Sequence, residues 1–461
     1  MKALIIGLDC ASPELAFDKL QTRLPNLGRL RENGIYGKLK SCIPAITIPA
    51  WLVMMTGKTP GKLGLYGFRH RKVYSYTDIW IANSQKISQR ALWDILKQAN
   101  KKSCLVGVPP SYPPFEVNGN LISCFITPGI DKEYTYPPKL KAEIENVVGE
   151  YMFDVEFRTE ERDVLLSQLY EMTRRRFEVI KYLLKTKDWD LLMFVEIGID
   201  RIHHAFWRFS DKEHHLYQPG NRYENVIPDY YHYLDERIGE VLSLVDDDTA
   251  ALVVSDHGAK RMKGAFCVNE WLAKQGYLVL RSKPTTKTSL EKADVDWAKT
   301  KAWGWGGYYA RIFLNVDGRE PQGIIKPKDY EIERNKLINK LENIAGPNGE
   351  KWQTKVFKPD KTFDEYNGDW PDLMVYFDDL SWRAAGTIGY DTLYLTENDT
   401  GPDDAVHAED GMFILYNPRQ DYRGTRMDND IMDIAPTILD LMGLETPQDM
   451  KGTSILSKLG K

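Results

Sequence analysis

The sequence predicts an α/β fold: a mainly parallel, doubly wound sheet with helices on both faces. Two observations lead there. Five short runs are apolar throughout rather than alternating, as strands buried on both faces must be. Helix-patterned stretches separate them, which is the βαβ signature. A third observation concerns placement. Three of the runs lead into ionisable residues, and in open α/β sheets the ligand crevice lies outside the carboxyl ends of the strands.

The first run is Ala3-Leu4-Ile5-Ile6-Gly7-Leu8, ended by Asp9. A carboxylate there is costly to bury without a partner or a metal. The second is Ser103 to Val108, preceded by the helical stretch Leu92 to Leu96. A long helical pattern, Leu165 to Leu184, leads to the third run, Leu191 to Val195, followed by Glu196 and Asp200. In Asp200-Arg201-Ile202-His203-His204 a carboxylate and an imidazole stand four apart. On a helix that spacing points both side chains the same way, a usual half-site for a divalent transition ion. The fourth run, Ala250 to Val254, leads through Ser255 to Asp256-His257-Gly258, where glycine permits a sharp turn at the crevice. The fifth, Gly411 to Tyr416, is preceded by His407, and a last helix spans Met432 to Leu444.

Between these runs, Pro44-Ala45-Ile46-Thr47-Ile48-Pro49 leads into the apolar stretch Leu52 to Met55, which ends at Thr56-Gly57. A threonine hydroxyl at a helix N-terminus sits where backbone N–H groups favour an anion, although a plain helix cap uses the same residue. Residues 130–165, rich in Pro, Tyr and charge, are expected to form a lid. Residues 271–390 change pattern and are expected to be an inserted α+β subdomain, leaving 1–270 and 391–461 as the core. Together Asp9, Asp200, His204, Asp256, His257 and His407 offer enough ligands for two metal ions with three each.

The composition narrows the function classes. The 461 residues are 43% hydrophobic and 28% charged, enough for a sizeable core, and 61 basic against 66 acidic residues give a charge of −5. No nucleic-acid polymer or anionic membrane is expected as a partner. The five cysteines, Cys10, Cys42, Cys104, Cys124 and Cys267, are scattered without a CxxC pair, which fits a reducing compartment. With no apolar run long enough to span a bilayer, a cytoplasmic location is expected. The turn after the first run lacks G-x-G-x-x-G, which argues against a dinucleotide enzyme.

The order Asp9, Thr47, Asp200 with His204, Asp256 with His257, then His407 resembles the alkaline phosphatase superfamily, and within it the type I phosphodiesterase / nucleotide pyrophosphatase family. Pro44 to Pro49, with Met55-Thr56-Gly57-Lys58-Thr59-Pro60 and Gly64, is similar to that family's nucleophile helix. Asp433 to Leu444 resembles the closing segment shared with sulfatases. The resemblance implies an alkaline-phosphatase-like core and two divalent ions, with Zn²⁺ first and Mn²⁺ or Mg²⁺ as alternatives. Asp200, His204 and His407 would hold one ion; Asp9, Asp256, His257 and the nucleophile Thr47 would hold the other. A small phosphorylated substrate and a phospho-threonine intermediate follow from it.

Two positions depart from the nucleotide enzymes. Phe68 stands where they carry an asparagine donor, so Arg69 or Arg71 is expected to contact the phosphoryl group. Ala50-Trp51 stands where they have Asn-His, which would place Trp51 and Phe68 at the leaving-group side. A phosphomonoesterase or phosphotransferase of the same superfamily is the alternative. A sulfatase is less favoured, because threonine cannot yield formylglycine, and a non-catalytic metal-binding protein is a further reading.

Overall fold

The computed structural model describes residues 1–459. Its main sheet runs, edge to edge, through Thr425–Arg426, Ile35–Lys40, Asp410–Tyr416, Thr249–Val254, Lys2–Leu8, Leu191–Glu196, Ser103–Val106, Gly119–Ile122 and Thr135–Tyr136, with Asn429–Asp430 also paired to Ile35–Lys40. The five strands from Thr249–Val254 to Gly119–Ile122 are mutually parallel. Asp410–Tyr416 and Thr135–Tyr136 run antiparallel to their neighbours. All five apolar runs are therefore strands of one sheet.

Lys2–Leu8 shows why the runs are apolar throughout. Leu4, Ile6 and Leu8 pack into the core on one face, with the helices Arg162–Thr186, Gly198–Ser210 and Val226–Leu242. Ala3 and Ile5 pack into the core on the other, with Thr47–Thr56 and Ile434–Leu441. Alternate side chains point to opposite faces, and both faces are dry. At Gly7 an added Cβ would lie 2.7 Å from the Trp51 ring, so only glycine lets that helix approach the strand.

Residues 130–165 supply the edge strand Thr135–Tyr136 and the helix Leu140–Val148. Tyr134, Tyr151 and Phe153 are buried in the core. These aromatics draw most of the expected lid down onto the sheet edge, and of this segment Phe157 and Arg158 reach the cavity described below. Residues 271–390 contain a separate antiparallel sheet in the order Ala302–Trp305, Ala310–Leu314, Leu373–Tyr376, Lys355–Phe357, with the helix Tyr330–Glu342 and its own apolar core. Among the described residues, no helix is long and apolar enough to cross a membrane.

Candidate active site

Six ionisable side chains converge at the carboxyl ends of the central strands. Asp9 directly follows Lys2–Leu8, and Asp256 and His257 follow Thr249–Val254. Asp200 and His204 lie one turn apart in the helix Gly198–Ser210, with Asp200 Oδ1 3.3 Å from His204 Nε2. His407 arrives by another route. Its strand, Ala405–Ala408, pairs antiparallel with Gly258–Arg261, placing His407 opposite Ala259. The His407 and His257 rings then stack with centroids 3.7 Å apart. All six side chains are buried.

The hydrogen bonding of this cluster is one-sided. Asp9 Oδ1, Asp200 Oδ1, Asp256 Oδ2, His204 Nε2 and His407 Nε2 are buried and have no hydrogen-bond partner among the described residues. The opposite edges are engaged. His204 Nδ1 lies 2.7 Å from Asp403 Oδ1, His257 Nδ1 3.1 Å from the Gly258 carbonyl, and His407 Nδ1 2.9 Å from the Ala45 carbonyl. Carboxylates and carbonyls only accept, so each Nδ1 carries a proton and Nε2 is the ring nitrogen turned inward. Trp51 Nε1 donates to Asp9 Oδ2 at 2.7 Å, leaving Oδ1 to face the centre. Buried polar atoms left unpaired are costly, and five in one place are a demand for cations.

The electrostatics agree. Burial, reinforced by Asp200, pushes the Asp9 carboxyl well above the carboxylate range, and burial with Asp9 does the same to Asp256. Burial also acts on Asp200, but the His204 imidazolium and the Arg201 guanidinium override it and hold that carboxyl well below its usual value, while Tyr308, Asp403 and Asp200 override burial at His204 and push that imidazole well above its own. Burial pushes His257 down to about 4, and burial with His257 and His204 pushes His407 lower still. Those two imidazoles are thus held neutral, the form that binds a metal. The mixed carboxylate and imidazole donors fit a divalent transition ion. Donor atoms of Asp9, Asp256 and His257 lie within 4.8 Å of one another, as do those of Asp200, His257 and His407, and those of Cys10, Asp200 and His204.

Thr47 is the first residue of the helix Thr47–Thr56, is 4% exposed, and sets its Oγ1 3.3 Å from His257 Nε2. It opens onto a cavity of about 440 Å³, lined also by Phe68, Arg69, Asp200 and His407. The inserted region contributes Tyr308, Arg311 and Arg383 to the same wall. Tyr308 stacks on His407 at 3.9 Å, and its hydroxyl is 3.3 Å from Asp403 Oδ2. Sequence reasoning missed Asp403, Tyr308 and the neighbouring Cys10. The Gly306-Gly307 pair was an available signal, since a Cβ on Gly306 would lie 2.3 Å from the Gly386 nitrogen.

Two expected substrate contacts are corrected. Trp51 is fully buried, and its indole supports Asp9 from behind rather than facing the cavity. Arg71 is also fully buried, pairs with Glu320 at 3.0 Å, and stacks over Phe313 at 4.4 Å. It ties the hairpin Arg69–Arg71/Ile79–Ile81 to the inserted region and does not line the cavity. Arg71→Ala should therefore lower stability on the order of 3 kcal/mol, since Glu320 keeps Arg319 as a partner. Denaturant unfolding measures it. A loss below about 0.5 kcal/mol would contradict a structural role.

The sequence model of the type I phosphodiesterase / nucleotide pyrophosphatase family matches residues 3–403. The chain belongs to this family. It is accordingly a hydrolase of phosphoric ester bonds, of the alkaline phosphatase superfamily. The family match ends before His407, so His407 joins the site on geometry alone. Solved structures share the fold. Murine ectonucleotide pyrophosphatase/phosphodiesterase 5, an inactive form in complex with AMP, is 11% identical with a TM-score of 0.57, covering 100% of this chain and 98% of that one. The human protein of the same name is 12% identical with a TM-score of 0.56, covering 100% and 98%. No curated protein sequence matches the chain.

Proposed function

We propose that this family member is a two-metal phosphodiesterase acting on small, nucleotide-type substrates through a phospho-threonine at Thr47. The observation that carries this reading is the convergence of five unpaired buried donor atoms on one centre, with the Thr47 hydroxyl beside them. Asp200, His204 and His407 would hold one divalent ion, and Asp9, Asp256 and His257 the other, next to Thr47. Zn²⁺ suits this donor set first, with Mn²⁺ or Mg²⁺ as alternatives. Such ions supply Lewis-acid stabilisation of phosphoryl charge and make a hydroxyl acidic enough to attack.

The chain's own residues do the rest. The helix start holds Thr47 Oγ1 at the cavity wall, where the first-turn N–H groups favour a phosphoryl anion. Attack by Oγ1 forms the threonine–phosphorus bond and breaks the ester bond to the leaving group. Water then cleaves the phospho-threonine and restores the hydroxyl. Trp51 and Asp403 fix the orientations of Asp9 and His204. Phe68 and Arg69, on the cavity wall, contact substrate. Residues 271–390 act as a subdomain that builds the substrate side of the cavity. The five unpaired cysteines support a cytoplasmic location.

The arginines lining the cavity favour one second reading, a phosphomonoesterase, because a dianionic ester gains more from cationic donors. Bis(p-nitrophenyl) phosphate and p-nitrophenyl phosphate, each assayed with Zn²⁺, Mn²⁺ and Mg²⁺, decide between them. The diester should be preferred by at least ~10-fold in kcat/KM. A reversed preference would establish the monoesterase, and no turnover of either would overturn both readings.

A further inference from the structure

Five arginines line the cavity: Arg69, Arg158, Arg201, Arg311 and Arg383. Three are engaged by carboxylates, two of them sharing one. Arg158 and Arg383 both reach Asp403, at 3.1 and 3.4 Å. Arg201 forms a paired contact with Asp154, at 2.8 and 2.6 Å, and also meets Asp200. Arg69 and Arg311 differ, because neither has a carboxylate within salt-bridge distance among the described residues.

Arg311 is the telling one. It is 6% exposed, in the strand Ala310–Leu314, and among the described residues the one hydrogen bond of its side chain runs from Nη1 to the carbonyl of Arg69. Its guanidinium lies 5.0 Å from the Trp305 ring centre, and that of Arg69 lies 5.9 Å from the same ring. Arg69 is exposed. Gly67 leaves the approach open, since even an added Cβ there would stay 3.5 Å from Arg311 Nη1. Burial and the neighbouring Arg69 push the Arg311 guanidinium below its ordinary value, with Tyr309 opposing them. A buried cation beside a second cation, with no acid nearby, is stabilised when an anion arrives.

We propose that Arg69 and Arg311 form a second anion subsite in the Thr47 cavity, and that the natural substrate carries a further phosphate-class group besides its scissile phosphoester. Trp305 forms the apolar floor of the subsite, and the two forks supply charge-assisted donors to a group with at least two anionic oxygens. The scissile ester lies at Thr47, and the second group lies against the inserted region. This rests on the phosphodiesterase reading above and names the substrate class for it.

Propane-1,3-diol monophosphate and its bisphosphate differ by one phosphate on a neutral linker. Their dissociation constants, measured by calorimetry on the protein as purified, read the subsite without turnover. The bisphosphate should bind at least ~30-fold more tightly to the wild-type chain. Arg69→Gln and Arg311→Gln should each reduce that ratio to within about threefold, and Arg311→Lys should restore part of it. If Arg311→Gln fails to fold, Arg69→Gln, an exposed position, decides the matter. A wild-type ratio near one, or a ratio kept in the folded variants, overturns the proposal. Turnover of bis(p-nitrophenyl) phosphate is scored separately. A collapsing ratio without turnover defeats the phosphodiesterase reading and leaves the subsite standing, whereas turnover with an unaltered ratio does the reverse.

Discussion

Thr47→Ala should reduce kcat by at least ~10³-fold for any ester the wild-type protein hydrolyses, with the metals still bound. The hydroxyl is a reactant, and the six carboxylate and imidazole ligands do not depend on it. Thr47→Ser keeps an oxygen at the same helix start and should retain part of the rate. The Thr47 side chain is nearly buried and its Oγ1 touches His257, so the alanine variant loses few contacts and should fold normally. Steady-state kinetics together with elemental analysis test this. An alanine variant within about tenfold of wild type would mean that water attacks phosphorus directly, and the phospho-threonine would have to be abandoned.

Asp256→Asn or His407→Ala should remove metal and activity together, with activity falling by more than the ~10–100-fold typical of changes to groups that merely support a ligand. Wild-type protein should carry two equivalents of divalent metal. Chelation should also lower the melting temperature, because a ligand at about 1,000 times its Kd adds about 4 kcal/mol of stability. Two equivalents persisting in the His407→Ala protein would take His407 off the ligand set.

The core was legible because its strands are buried on both faces, so each reads as an unbroken apolar run, and three of the runs lead into a conspicuous charge. Asp9, Asp256 and His257 stood out for that reason, and the spacing of Asp200 and His204 carried the helix period. Arg69 and Arg71 could not be separated in the same way. Two apart in one strand, they present to the same side, and that side begins at the cavity beside Trp305 and ends in the packed region of Trp303 and Phe313. Which end a residue occupies depends on the inserted region, where the Gly306-Gly307 pair marks a close approach but no spacing marks a site residue. Arg311, Arg383 and Tyr308 were missed for this reason. Asp403 was missed because its partner, His204, lies 199 positions away.

His407 reaches its neighbours by pairing Ala405–Ala408 with Gly258–Arg261 across everything between them. The entropy lost in bringing two such distant strands together grows only with the logarithm of the intervening length, by about 0.6 kcal/mol for each doubling. Once that pairing is made, the excursion between its ends is nearly free to change in size and composition. A lineage of such chains could therefore rebuild residues 271–390 around new leaving groups while the reactive centre stays in place. Substrate preference and chemical step are, in this architecture, separately evolvable.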